Sequence, residues 1–196
     1  MSTTVSTLIC NWPQAPLLPP TGQAVLVRVA TAPSRTTARM ELRAVLREVL
    51  ARWSGLAPDR LPIEESPRGP AWQGLLAGQT LDISLSYCEQ EAWIGLLRGG
   101  WIGVDVMRAE PLAEALDVAR DYLGPKALES IQKSPDPTTA FAVAWTELEA
   151  QLKCLKLELV ERRDGRALAV TPCALESIFL ADRVVVTLAT HSPLAP

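Results

Sequence analysis

Three apolar, β-prone stretches stand almost end to end in the middle of this chain: LDISLSY (81–87), AWIGLLR (92–98) and WIGVDVM (101–107). Strands so close in sequence are most simply paired with one another, and Gly99-Gly100 is the kind of two-residue break that turns a hairpin. The spacing therefore predicts an antiparallel meander at the centre. What flanks it decides the fold class.

Upstream, four prolines between residues 11 and 22 dictate an extended lead-in, and AVLVRVA (24–30) is a short strand. Ser34 then caps a long helix in which Leu42, Val45, Leu46, Val49, Leu50 and Trp53 recur at helical spacing. Residues 58–80, rich in Pro, Gly and charge, read as a long connection. Downstream, helical segments are expected from Pro111 to Leu123 and after Gly124-Pro125. Asp136 and Pro137 then open a second long helix that runs to about Leu157. After a turn at Asp164-Gly165, LAVT, LESIFLA and RVVVTLAT supply three more strands, the last two joined near Asp182. Strand, long helix, strands is thus followed by helices, long helix, strands, and Thr-Thr-Ala heads both long helices (36–38 and 138–140). The expected fold is α+β, a pseudo-dimer of two half-domains at 1–103 and 104–196. Each is a long helix packed on a small antiparallel sheet.

A chain of 196 residues, 48 % apolar and 21 % charged, can bury a core of this kind. Its 19 basic and 22 acidic side chains leave a net charge of -3, so no general field draws it to nucleic acid and any phosphate must be met locally. The four cysteines show no C-x-x-C pair and there is a single histidine, which indicates neither a zinc site nor a disulfide framework. No window is apolar enough to span a membrane, and the N-terminus lacks a leader pattern. A cytoplasmic protein, free of membrane and expected to be a monomer, is the reading.

Two features carry chemistry. The first helix aligns Arg35, Arg39, Arg43 and Arg47 in one stripe, which suits either a solvated face or an anion-binding row. The second is a pair of acids. Asp105 interrupts an otherwise apolar strand, where aspartate is disfavoured and costly to bury without compensation. In WTELEAQLK (145–153), Glu149 lies four residues from both Trp145 and Lys153, so the three share a helix face. From helix spacing alone, Glu149 and Lys153 read first as a surface ion pair. Should helix and strand pack together, Asp105 and Glu149 could share a hard divalent cation, with water and phosphate completing its shell.

The ordered set ISLS (83–86), IGVDV (102–106) and WTELEAQLK, with a basic helix upstream, resembles the 4'-phosphopantetheinyl transferase superfamily in its longer, pseudo-dimeric form. The resemblance covers roughly residues 24–190. It implies Mg²⁺ ligation by Asp105 and Glu149, with Glu149 near the attacking hydroxyl, and coenzyme A phosphate contact by Lys153. Glu149 and Lys153 would be catalytic, while Arg39, Arg43, Ser84 and Lys153 would bind coenzyme A. Gly69-Pro70 stands for the approach to the serine strand, and Trp145 and Ala150 for packing. The implied reaction is transfer of 4'-phosphopantetheine from coenzyme A to a serine of an acyl or peptidyl carrier protein. Three positions depart from the pattern: Leu85 for a histidine, Met107 for an acid and Leu148 for a lysine. The alternative they raise is a transferase-like protein that binds a carrier protein or coenzyme A without turnover.

Overall fold

The computed structural model describes residues 5–14, 16–66, 69–161 and 173–191. Its strands form two principal sheets, and neither is the expected meander. β1 (Ser6–Asn11), β2 (Gln23–Ala30), β5 (Leu81–Cys88) and β6 (Glu91–Arg98) make the first, in the order β1-β2-β6-β5. β7 (Trp101–Arg108), β8 (Ala174–Phe179) and β9 (Val184–His191) make the second, in the order β7-β9-β8. The lead-in also holds a strand the sequence reading missed, because β1 pairs in parallel with β2. The connection at 58–80 contains a small hairpin of β3 (Ile63–Ser66) and β4 (Gly69–Trp72).

The Gly99-Gly100 hairpin is the main correction. β6 pairs antiparallel with β5 as the meander requires, from Leu81 against Arg98 to Cys88 against Glu91, but its other edge is taken by β2 and not by β7. Glu89, with φ of 51°, occupies the left-handed region at the turn between them. Gly99-Gly100 carries the chain out of the first sheet into the second, where β7 pairs with β9. The reason lies on both faces of the strands. β6 is buried along nearly its whole length and β7 over residues 102–106, as a stack of two sheets requires and a half-exposed hairpin does not.

The long helices cover the outside of the stack. α1 (Arg35–Ser54) is capped as the sequence predicts, Ser34 accepting from the Thr37 N–H, and ends at Gly55 in the left-handed region. Its Leu42, Leu46, Val49 and Leu50 pack with Val25, Val27, Ile94 and Leu96 of the first sheet. The opposite face of that sheet, with Leu26, Trp93 and Leu97, meets Ile102, Val104, Val186 and Leu188 of the second. α4 (Pro137–Cys154), capped by Asp136, closes the far side through Ala142 on Val185 and through Ala150 and Cys154 on Ala189. α2 (Ala115–Val118), a π turn at Ala119–Leu123 and α3 (Pro125–Lys133) support the outer face of α4. The result is a mixed α+β protein layered helix, sheet, sheet, helix. LESIFLA and RVVVTLAT form β8 and β9, with the turn at Ala181–Arg183 where Asp182 was read. LAVT and Asp164-Gly165 lie outside the described residues.

Candidate functional site

Two close approaches set the site. An added Cβ at Gly103 would fall 1.9 Å from the Ala150 carbonyl oxygen and 2.5 Å from the Cys154 nitrogen, so glycine lets the α4 backbone lie directly on β7. Two residues on, Asp105 projects toward the same helix. Thr146 and Thr187, both fully buried, bond hydroxyl to hydroxyl at 2.7 Å and fix α4 on β9. Helix and strand are thus held so that Asp105, Glu149 and Lys153 meet.

The second approach is a seam between the sheets. β7 gives alternate N–H groups to β9, which leaves those of Ile102, Val104 and Val106 facing β5. β5 forms no ladder with β7, and its side chains take them instead. Asp82 Oδ2 accepts from Ile102 at 2.7 Å, Ser84 Oγ from Val104 at 2.9 Å and Ser86 Oγ from Val106 at 3.2 Å. Buried backbone donors must find acceptors, and a strand with a polar residue at every second position supplies them in register. That alternation at 82, 84 and 86 was legible in the sequence, although only Ser84 was singled out.

The compensation Asp105 requires is now visible. It is 8 % exposed, accepts from Ser86 Oγ at 2.8 Å, and accepts from Lys153 Nζ at 2.6 Å. Lys153 also donates to the Val104 carbonyl at 3.1 Å and approaches Ser86 Oγ at 3.4 Å, so all three ammonium protons have acceptors. Glu149 is the opposite case. Among the described residues it takes part in no hydrogen bond or ion pair. Burial pushes its carboxyl above the usual glutamate range, Asp105 pushes it further, and Lys153 only partly opposes them.

These three residues stand on the wall of a cleft of about 880 Å³, whose lining also includes Ser84, Arg35, Arg39, Arg43, Tyr87 and Lys156. Every site residue expected from the sequence therefore borders one cavity. The arginine stripe divides: Arg35, Arg39 and Arg43 line the cleft, whereas Arg47 donates to the Pro58 carbonyl at 3.2 Å. Gly69 and Pro70 reach the cleft from the β3–β4 hairpin. Lys156, which the sequence reading passed over, also lines it and pairs with Asp82 at 2.8 Å.

The departures from the family pattern separate as well. Leu85 and Met107 line the cleft. Leu148 does not; it packs with Ala119, Leu123, Ile131 and Leu152 beneath α3. Trp145 both lines the cleft and packs, meeting Tyr122 edge-on at 5.8 Å and stacking on Phe141 at 6.1 Å.

Among the described residues no group of three or more His, Cys, Asp or Glu side chains is gathered as a metal cluster. The donor set nevertheless fits a small hard cation, because Mg²⁺ is commonly held by one or two carboxylates with water and phosphate completing the shell. Asp105 and Glu149 repel one another across a cleft lined with basic side chains, and among the described residues the Glu149 carboxyl lacks the positive partner that Asp105 has in Lys153. Asp105 and Glu149 are the residues that would hold it.

No helix among the described residues is long and apolar enough to cross a membrane. No curated protein matches the chain. Residues 102–186, the stretch that carries Asp105, Glu149 and Lys153, match the family model of the 4'-phosphopantetheinyl transferase superfamily.

Proposed function

We propose that the protein transfers 4'-phosphopantetheine from coenzyme A to a serine of an acyl or peptidyl carrier protein, with Mg²⁺ held by Asp105 and Glu149. The observation that carries this reading is the meeting, in one cleft, of an acid pair from β7 and α4 with a row of arginines from α1. A coenzyme that carries a 3'-phosphate and a 5'-diphosphate on opposite sides of one ribose suits a cleft that is cationic along one wall and acidic at the other.

In the reaction the carrier serine oxygen attacks the β-phosphorus, the bond from that phosphorus to the oxygen of 3',5'-ADP breaks, and the serine proton must be taken up. Mg²⁺ would supply charge neutralisation at the diphosphate as the leaving group departs. Glu149, half-buried and with its carboxyl pushed upward, is poised to accept the proton. Lys153 orients Asp105 and brings positive charge beside the diphosphate. Arg39 and Arg43 hold the adenosine-side phosphate. Ser84, whose oxygen accepts from Val104, keeps its own proton for a ligand oxygen. Met107 adds no third acid, so water and phosphate would have to supply the remaining ligands of a cation held by Asp105 and Glu149.

The test is incubation with coenzyme A, Mg²⁺ and a panel of apo-carrier proteins, read by intact mass. Addition of one phosphopantetheine group, abolished by Glu149→Gln, supports the transferase. Coenzyme A binding without mass gain on any carrier supports binding without turnover. Melting curves give an independent readout. Because the Glu149 carboxyl is raised in the folded state, its ionised form weighs against folding above that range. Glu149→Gln should therefore match or exceed wild type without metal at neutral pH, yet gain nothing from Mg²⁺ where wild type does.

A further inference from the structure

The arginine wall of the cleft contains one group that its neighbours leave incomplete. Tyr87, near the end of β5, packs its ring against the core beneath α1 and lines the cleft. Its hydroxyl is buried, and among the described residues no acceptor takes its proton. Arg39 and Arg43 are close enough that their charge opposes the upward push of burial on the phenol. Arg43 also acts on the phenol oxygen as a hydrogen-bond donor, which leaves the phenolic proton itself without an acceptor. The Nε of Arg43 is turned to Glu65 Oε2 at 3.1 Å, on the β3–β4 hairpin.

The chemistry of this corner is specific. Guanidinium groups only donate, so they cannot accept the phenolic proton. A buried hydroxyl without an acceptor is costly, and a native structure that keeps one has a reason for it. Ser84 and Ser86 point from the same strand toward β7, whereas Tyr87 points toward α1, so its proton is not directed at the Asp105 end. What would complete the corner is an anion with several acceptor oxygens, able to take the phenolic proton and two guanidinium forks together. A phosphate group has that form. Glu65 is a weaker rival for Arg43, since its side chain is 43 % exposed.

We infer that Tyr87 is a ligand-binding residue, its hydroxyl donating to a phosphate oxygen held by Arg39 and Arg43 at the α1 end of the cleft. This rests on the reading of the cleft as a coenzyme A site, which the experiment tests separately. Tyr87→Phe removes only the hydroxyl. Calorimetric titration of wild type and Tyr87→Phe with coenzyme A and with 3'-dephospho-coenzyme A, alongside melting curves of both free proteins, gives the answer.

The expected result is about tenfold weaker coenzyme A binding by the variant, the loss of one hydrogen bond to a charged group, at an unchanged or higher melting temperature. If 3'-dephospho-coenzyme A binds both proteins equally, the contact is with the 3'-phosphate. If both ligands weaken alike, the same donation goes to the diphosphate. Equal coenzyme A affinity in the two proteins overturns the inference and leaves the coenzyme site standing, as does a lower melting temperature, which would mean that the hydroxyl serves the fold. Failure of wild type to bind coenzyme A at all overturns both.

Discussion

The two ends of the cleft hold charge in opposite ways. At the β7–α4 end the frame is fixed by backbone packing: glycine brings the helix onto the strand, and Asp105, Ser86 and Lys153 bond to one another at 2.6–3.4 Å. At the α1 end, charge is carried on long arginines projecting from a helix with one face open to solvent, and the pair that Arg43 forms with Glu65 is part-exposed. The first arrangement resists change of shape and costs much to disturb. The second adapts to its ligand and costs little. A cleft built this way pre-positions the chemistry and lets the remainder of the ligand be gathered by electrostatics.

That contrast can be broken at its strongest point by Gly103→Ala. The new methyl would collide with α4 backbone, which cannot rotate aside, so a stability loss of about 3 kcal/mol or more is expected from denaturant titration. A variant of wild-type stability would mean that the helix is free to shift and the acid end is not rigid. Leu148→Lys comes next. Its position in the α3–α4 core predicts a loss of about 2–3 kcal/mol, with no gain in coenzyme A affinity. Improved binding would place that residue in the cleft after all.

Lys153→Met leaves Asp105 buried without its cation. Since the lysine side chain is 31 % exposed, the expected loss is about 1–2 kcal/mol rather than that of a fully buried pair. Mg²⁺ should return part of it, stabilising this variant more than wild type in melting curves. If Mg²⁺ stabilises neither protein, Asp105 does not serve a cation.

Asp136→Ala tests how α4 is anchored at the end remote from the cleft. Bonds from the Thr139 N–H and hydroxyl, with Arg183 beside them, hold the Asp136 carboxyl below the usual aspartate range. Its contribution is present at neutral pH and fades as the pH falls through that lowered range. The melting temperature of the variant should thus lie below wild type at pH 7 and converge with it in acid. Arg39→Ala should be the mildest, within about 0.5 kcal/mol of wild type, while weakening coenzyme A binding. A large stability loss there would mean that the α1 end is built like the other.

The parts of the molecule governed by short-range rules were legible. Ser34 and Asp136 announced their helices, and the four-residue spacing of Glu149 and Lys153 put both on the cleft. The cost of burying Asp105 announced a partner, and Lys153 is that partner. What the sequence hid was pairing at a distance. Gly99-Gly100 has the chemistry of a hairpin, yet strands buried on both faces are placed by stacking, which local turn preference does not encode. The strand at Ser6–Asn11 was concealed for a like reason: a parallel partner needs no tight turn to announce it. Tyr87 offered no signal beyond an aromatic residue near a strand end. Its unmet hydroxyl exists only once α1 is laid over it.

The polar row of β5 has one further consequence. An open strand edge invites another chain to add itself, the beginning of many aggregates. In β7 that invitation is withdrawn by Asp82, Ser84 and Ser86, which meet its free N–H groups with single atoms in place of a whole strand. Side chains are slighter than a strand, and the space they save is part of what keeps the cleft open beside them. The serines that border the site therefore also keep the protein from sticking to copies of itself, and their loss would be felt in solubility as well as in binding.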